Sequence, residues 1–139
     1  TEHVVDWSEH PDLSVIPNGA SVVMIVHGWT MHGHDPLMVK LRRGAARHYD
    51  AVIVVDWWKG ASAGGLYLQS VRDTEVVAAQ MALIADRLVK QRSVDPEKLH
   101  MMGFSLGGQI VGFAGRRTQE KYGFTLGRIY RKFAFTALQ

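Results

Sequence analysis

There is no cysteine in this sequence, which removes a disulfide scaffold, a thiolate metal site and a cysteine nucleophile together. No apolar run exceeds the five residues of Val22–Val26 or Ala51–Val55, far short of the roughly 18 that a membrane-crossing helix needs. No charged leader followed by an apolar stretch opens the chain, so no signal peptide is read from it. Internal repeats, linkers and low-complexity segments are missing as well. What remains is 139 residues, 47% hydrophobic, 21% charged and 9% aromatic. That is the profile of one compact domain, and not of a disordered, collagen-like or coiled-coil chain.

The charge is mildly basic, 16 Lys and Arg against 13 Asp and Glu. Arg116, Arg117, Lys121, Arg128, Arg131 and Lys132 crowd towards the C-terminus with only Glu120 opposing them. A solvated face explains such a cluster more simply than a nucleic-acid footprint, and no nucleic-acid motif accompanies it. The chain opens on Thr1 and stops within the apolar run from Phe133 to Gln139. The expectation is therefore a piece of a larger domain.

Along the chain, strand and helix signals alternate. Val22–Val26 reads as a buried strand, short, β-branched and preceded by the turn signal Pro17-Asn18-Gly19. Asp35-Pro36 reads as an N-cap with proline at the first helical position. Leu37, Leu41 and Ala45 then carry a helix to about His48. Ala51–Asp56 is a second buried strand ending in Trp57-Trp58, and Gly60–Gly65 a loop. Val77, Met81, Ile84 and Leu88 share one face of a helix over roughly Val71 to Gln91. Asp95–Lys98 is a turn, Leu99–Phe104 a third strand, a helix starts near Leu106, and Gly127–Tyr130 opens a fourth strand. Strands without alternation, separated by helices, predict an α/β fold with a mostly parallel sheet covered on both faces. Ligands in such sheets bind beyond the carboxyl ends of the strands. Chemistry is therefore expected in the loops after Val26, Val55 and Phe104.

The third of these loops carries Gly103-Phe104-Ser105-Leu106-Gly107, a G-x-S-x-G between a strand and a helix. In that context a serine sits on a sharp turn with its hydroxyl above the sheet, and side chains two residues to either side would collide. Gly108, Gly112 and Gly115 give the following helix a small-residue face for close approach. No dinucleotide fingerprint G-x-G-x-x-G is present, and no cofactor is expected. Acyl transfer also needs backbone N–H donors aimed at the developing oxyanion. One follows the nucleophile, here Leu106; the other comes from the loop after an earlier strand, most simply Trp29 in His27-Gly28-Trp29. His27 reads as a brace for that loop rather than a base. Asp56 reads as a carboxylate that orients loops through hydrogen bonds. Trp29, Trp57 and Trp58 suit either an acyl pocket or core packing.

Taken together, His27-Gly28-Trp29, Val55-Asp56-Trp57, Gly103–Gly108 and Phe113-Ala114-Gly115-Arg116-Arg117 resemble the animal lipase family of pancreatic-type triacylglycerol lipases and venom-type phospholipases A1. The resemblance runs from about Ser21 to Ile129 and covers less than half of that family's catalytic domain. It implies that residues 1–139 form the N-terminal part of an α/β-hydrolase domain. It further implies secretion, work at a lipid–water interface, and hydrolysis of lipid carboxylic esters through an acyl-enzyme. By the same resemblance Ser105 is the nucleophile, and Trp29 and Leu106 supply the oxyanion hole.

Three departures follow. Where the family has histidine before the serine, Phe104 stands here. The triad order in this fold is serine, acid, histidine, yet after Ser105 there is no aspartate, no histidine and a single acid, Glu120. Where the family has a Thr-Ala-Leu-Asp-Pro-like run after Gly-Arg-Ile, this chain has Thr136-Ala137-Leu138-Gln139, with Tyr130 to Phe135 as an extra segment. His32 and His34 are the nearest upstream candidates for a base. With Asp35 they also suggest a metal, but their spacing matches no metal motif, and a solvated loop is the simpler reading. The alternative to an enzyme is a non-catalytic lipid- or protein-binding relative, similar to the lipase-related yolk proteins, inactive for want of the acid and histidine.

Overall fold

The computed structural model describes residues 2–5, 7–28, 33–57 and 67–132, with backbone only at 67–71 and 132. Among these, four strands form one sheet: β1 (Val22–Val26), β2 (Ala51–Val55), β3 (Leu99–Phe104) and β4 (Arg128–Lys132). The order is β2-β1-β3-β4, and all three pairings are parallel. Three α-helices accompany it: α1 (Pro36–Ala45), α2 (Tyr67–Gln91) and α3 (Leu106–Arg117).

Both sheet faces carry helices. Val22, Met24, Val26, Leu99 and Met101 point to one face, where Val77, Met81, Ala85 and Leu88 of α2 and Ile110, Val111 and Ala114 of α3 bury them. Val23, Ile25 and Phe104 point to the other and meet Met38 of α1, with Leu41, Ala45 and Tyr49 at the rim. Every residue of β1 is buried, because β1 is interior to the sheet and covered on both sides. The parallel sheet covered on both faces is what the alternating pattern predicts, and it is α/β-hydrolase-like, as the resemblance implies.

Several boundaries differ from the sequence reading. Helix α1 stops at Ala45, not near His48; residues 46–49 close through shorter turns such as Arg47 N to Gly44 O and His48 N to Ala45 O. Its one fully buried residue is Met38, which the spacing of Leu37, Leu41 and Ala45 passes over. Asp35 does occupy the N-cap position, but its side chain makes no capping hydrogen bond. Strand β2 is only partly buried apart from Val55, since among the described residues it lies at the end of the strand order with one neighbour. Helix α2 begins at Tyr67, four residues before Val71. Ile84 packs at the rim of the core while Ala85 is fully buried. Strand β4 continues beyond the Gly127–Tyr130 signal: Tyr130 and Arg131 are paired with Met102 and Gly103, and Lys132 pairs with Phe104. One unforeseen element is a π-helical turn, Thr118–Tyr122, that prolongs α3 and ends on Gly123 at φ 80°.

Candidate active site

Ser105 lies between the last residue of β3 and the first of α3, at φ 53° and ψ −120°. Only one other described non-glycine residue has positive φ, Ser93, and it is explained by a helix stop, the Val94 N–H reaching back to Leu88 O at 3.2 Å. Ser105 has no such excuse: the chain reverses there from strand into helix, and the backbone enters a region that costs an L-residue about 1–3 kcal/mol.

The surroundings show what imposes this. A Cβ on Gly103 would stand 2.1 Å from Gly107 O, and a Cβ on Gly107 would stand 2.6 Å from Val26 O and 2.8 Å from His27 O. The two motif glycines thus let the end of β3, the start of α3 and the end of β1 touch backbone to backbone. Gly28 completes the contact from the β1 side: a Cβ there would meet Phe104 O at 2.8 Å, Ser105 Cβ at 3.0 Å and Leu106 N at 3.6 Å. Gly28 therefore lies against Ser105 and the first amide of α3, whose N–H groups form the positive end of the helix. Further down α3, a Cβ on Gly112 or Gly115 would run into the side chain of Arg131 or Ile129, so the small-residue face serves β4.

The loop after β1 has a brace of its own. His27 is fully buried, its ring stacked on Trp57 with centroids 5.6 Å apart. Its Nδ1 lies 3.0 Å from Gly28 O, a bond that requires the ring proton on Nδ1. Nε2 is then the acceptor for the Trp57 backbone N–H at 3.1 Å, while Trp57 Nε1–H donates to His27 O at 2.9 Å. Asp56 Oδ1 stands 3.1 Å from the same Nε2. Burial pushes the His27 pKa below the usual imidazole value, outweighing the opposing pulls of the Gly28 carbonyl and of Asp56. The loop returns to this pair at Gly33, where a Cβ would stand 3.1 Å from the Asp56 carboxylate.

Comparison with known proteins places this arrangement. The sequence model of the lipase family matches residues 14–131. The chain belongs to the lipase family. It is 31% identical over 99 residues to pancreatic triacylglycerol lipase of Myocastor coypus, covering 71% of this chain and 21% of that protein. It is 34% identical over 95 residues to inactive pancreatic lipase-related protein 1 of Homo sapiens, covering 68% and 20%. It is 36% identical over 107 residues to phospholipase A1 1 of Dolichovespula maculata, covering 71% and 34%. The chain thus spans between a fifth and a third of the length of these relatives. A solved structure of a proposed carboxylesterase from Lactobacillus plantarum superposes with a TM-score of 0.56 at 15% identity, covering 84% of this chain and 51% of that one, a likeness of fold.

The remaining candidates of this lipase-family chain are distributed as follows. Ser105 and Leu106 are brought together with Gly28; Trp29, His32, Trp58 and the loop Gly60–Gly65 lie outside the described residues. Both ring nitrogens of His27 are engaged in the core, so it is not presented to Ser105 as a base. His34 is exposed ahead of α1. The last histidine, His100, is the second residue of β3, roughly 16 Å of strand away from Ser105, tied to the Tyr49 hydroxyl and Glu97 O. Phe104 is a core residue of the α1 face, which explains how an apolar side chain stands beside Ser105. Trp57 is core as well. Arg116, Arg117, Lys121, Arg128 and Arg131 are exposed. No group of three or more His, Asp or Glu among the described residues is placed to hold a metal ion. Sequence reasoning missed Gly28 and Gly33 as contact points; the signal available was glycine at both ends of one short loop.

Proposed function

We propose that the protein is a lipase-like serine hydrolase of lipid carboxylic esters, triacylglycerol or phospholipid, acting through an acyl-enzyme on Ser105, and that residues 1–139 are the N-terminal part of its catalytic domain. The observation that carries this reading is the strained backbone of Ser105, φ 53° and ψ −120°, held against Gly28 and Leu106 N. In the reaction the Ser105 hydroxyl loses its proton to a base and attacks the ester carbonyl. The oxyanion is met by the N–H groups of Leu106 and Trp29. The alcohol leaves with a proton, and water then releases the fatty acid and regenerates the serine. Family membership supports lipid esters as the substrate class, and an extracellular setting follows from the same resemblance.

A second reading has one observation in its favour: one relative, 34% identical over 95 residues, is an inactive pancreatic lipase-related protein. On that reading the protein binds lipid or protein without turnover. One experiment separates them. The chain alone should hydrolyse a short-chain ester negligibly and be labelled only slowly by a fluorophosphonate, because loss of triad members leaves only about 10³–10⁴-fold catalysis over water. A chimera that adds the acid- and histidine-bearing remainder of a relative's domain should hydrolyse the ester and label fast, and Ser105→Ala should abolish both. A folded chimera without Ser105-dependent turnover would establish the binder instead.

A further inference from the structure

We propose that Asn18 is a site of spontaneous covalent modification, converting to aspartate and isoaspartate through a succinimide. In the folded chain Arg92 keeps the site closed, through its carbonyl and its guanidinium. Asn18 is the one asparagine in the sequence, and glycine follows it. It is exposed in the turn that precedes β1, as are Pro17 and Gly19. No neighbouring atom lies within 4 Å of the point where a Cβ on Gly19 would stand, so nothing crowds that residue against the Asn18 side chain. In the reaction the Gly19 amide gives up its proton to solvent hydroxide, and its nitrogen bonds to Asn18 Cγ. The bond from Cγ to Nδ2 breaks, and ammonia leaves. Water then opens the ring at either carbonyl, so one water is consumed for each ammonia released. Two hydrogen bonds oppose this step. The Gly19 N–H donates to Arg92 O at 2.8 Å, a carbonyl just past the last residue of α2, where the helix itself supplies no donor. The same residue grips the turn a second time, Arg92 Nε donating to Ile16 O at 2.7 Å, and Ile16 is buried. A proton held in this way is out of reach of hydroxide, and an amide that keeps its proton is no nucleophile. The step therefore runs from the opened turn, not from the closed one. In the isoaspartyl branch the main chain gains a methylene between positions 18 and 19, which shifts the Gly19 N–H out of register with Arg92 O.

The test follows the chain by peptide mass mapping during incubation in mildly alkaline buffer, folded and in urea. Asn18 should convert in the unfolded chain, and at least about tenfold more slowly in the folded one. Hydrogen exchange of the Gly19 amide supplies a second measure, because both reactions draw on the same opening. The ratio of the two modification rates should match the Gly19 protection factor within about threefold. Arg92→Ala removes the grip on Ile16 and should speed modification of the folded chain by about three- to tenfold, with Gly19 exchange faster by the same factor. If that variant does not fold, the wild-type rates and the protection factor decide the matter by themselves. Asn18→Gln sets the background, since its longer side chain would have to close a six-membered ring. A folded chain modified as fast as the unfolded one, or a Gly19 amide without protection, would overturn the proposal. So would a folded Arg92→Ala chain whose Asn18 converts no faster than wild type. An unfolded chain that reacts no faster than the Asn18→Gln background would show that position 18 is not a modification site at all.

Discussion

The turn after β3 and the loop after β1 meet beside Ser105, yet they are held in opposite ways. The β3 turn is fixed by exclusion: Gly103 and Gly107 lie so close to neighbouring backbone that no other residue fits, and Ser105 is forced to positive φ. The β1 loop is fixed by attachment, through hydrogen bonds radiating from one buried imidazole. Exclusion is insensitive to pH and salt and has no intermediate states. Attachment can be titrated, or lost one bond at a time. A site built from both has a rigid turn at Ser105, the elbow, and beside it an attachment at His27 that can be loosened without unfolding that turn.

Substitution at Gly103 should have the largest effect. Gly103→Ala would place Cβ 2.1 Å from Gly107 O, which is backbone and cannot swing aside. A loss of more than about 4 kcal/mol is expected, read as the absence of a cooperative urea transition; a near-normal midpoint would show that the elbow yields.

Acidification should act next, on the attached loop. Burial holds the folded-state pKa of His27 below the usual imidazole value, so the folded form prefers the neutral ring. Its contribution to stability is complete above the unfolded-state value and is lost as pH falls from there through the folded-state value. The groups that act on the ring are Asp56 and Asp35, both favouring charge. Urea midpoints measured downward from pH 7.5 should fall in wild type and fall less in His27→Gln; parallel curves would exclude His27 as the cause.

Relief of strain should give a smaller change of opposite sign. Ser105→Gly removes the nucleophile and should stabilise the fold by about 1 kcal/mol, the strain released less the greater flexibility of unfolded glycine. Calorimetry should show a higher Tm, and a lower one would mean that the serine side chain holds the turn. The smallest effect belongs to a glycine outside both devices. A Cβ on Gly44, inside α1, would meet nothing within 4 Å, so Gly44→Ala should add about 0.5–1 kcal/mol through helix propensity.

The same contrast separates what the sequence disclosed from what it withheld. Exclusion leaves a local mark, glycines at fixed offsets from a serine, and the elbow was readable together with β1, β3 and the helix at Leu106. The parallel sheet was readable too, because β1 and β3 are apolar without alternation. Attachment leaves little local mark. The His27–Asp56–Trp57 network joins positions about thirty residues apart, and only strand pairing in register, Val26 beside Val55, brings them together. The partial burial of β2 escaped notice for a related reason. Ala51–Val55 is as apolar as β1, but its exposure depends on its place in the strand order. Tyr130 and Arg131 extend the fourth strand past the point where its sequence signal fades, because an end strand tolerates polar residues while its backbone pairs.

The contacts at Gly103 and Gly107 also bear on how such a chain changes over generations. Both glycines are demanded by the fold, through backbone that no neighbour can withdraw, whether or not an ester is ever cleaved. A lineage that gave up hydrolysis would still be selected to keep them, while the hydroxyl between them, held at a conformational cost, would be the first part free to drift. Within such a motif the glycines report ancestry, and a serine kept at positive φ reports continued use.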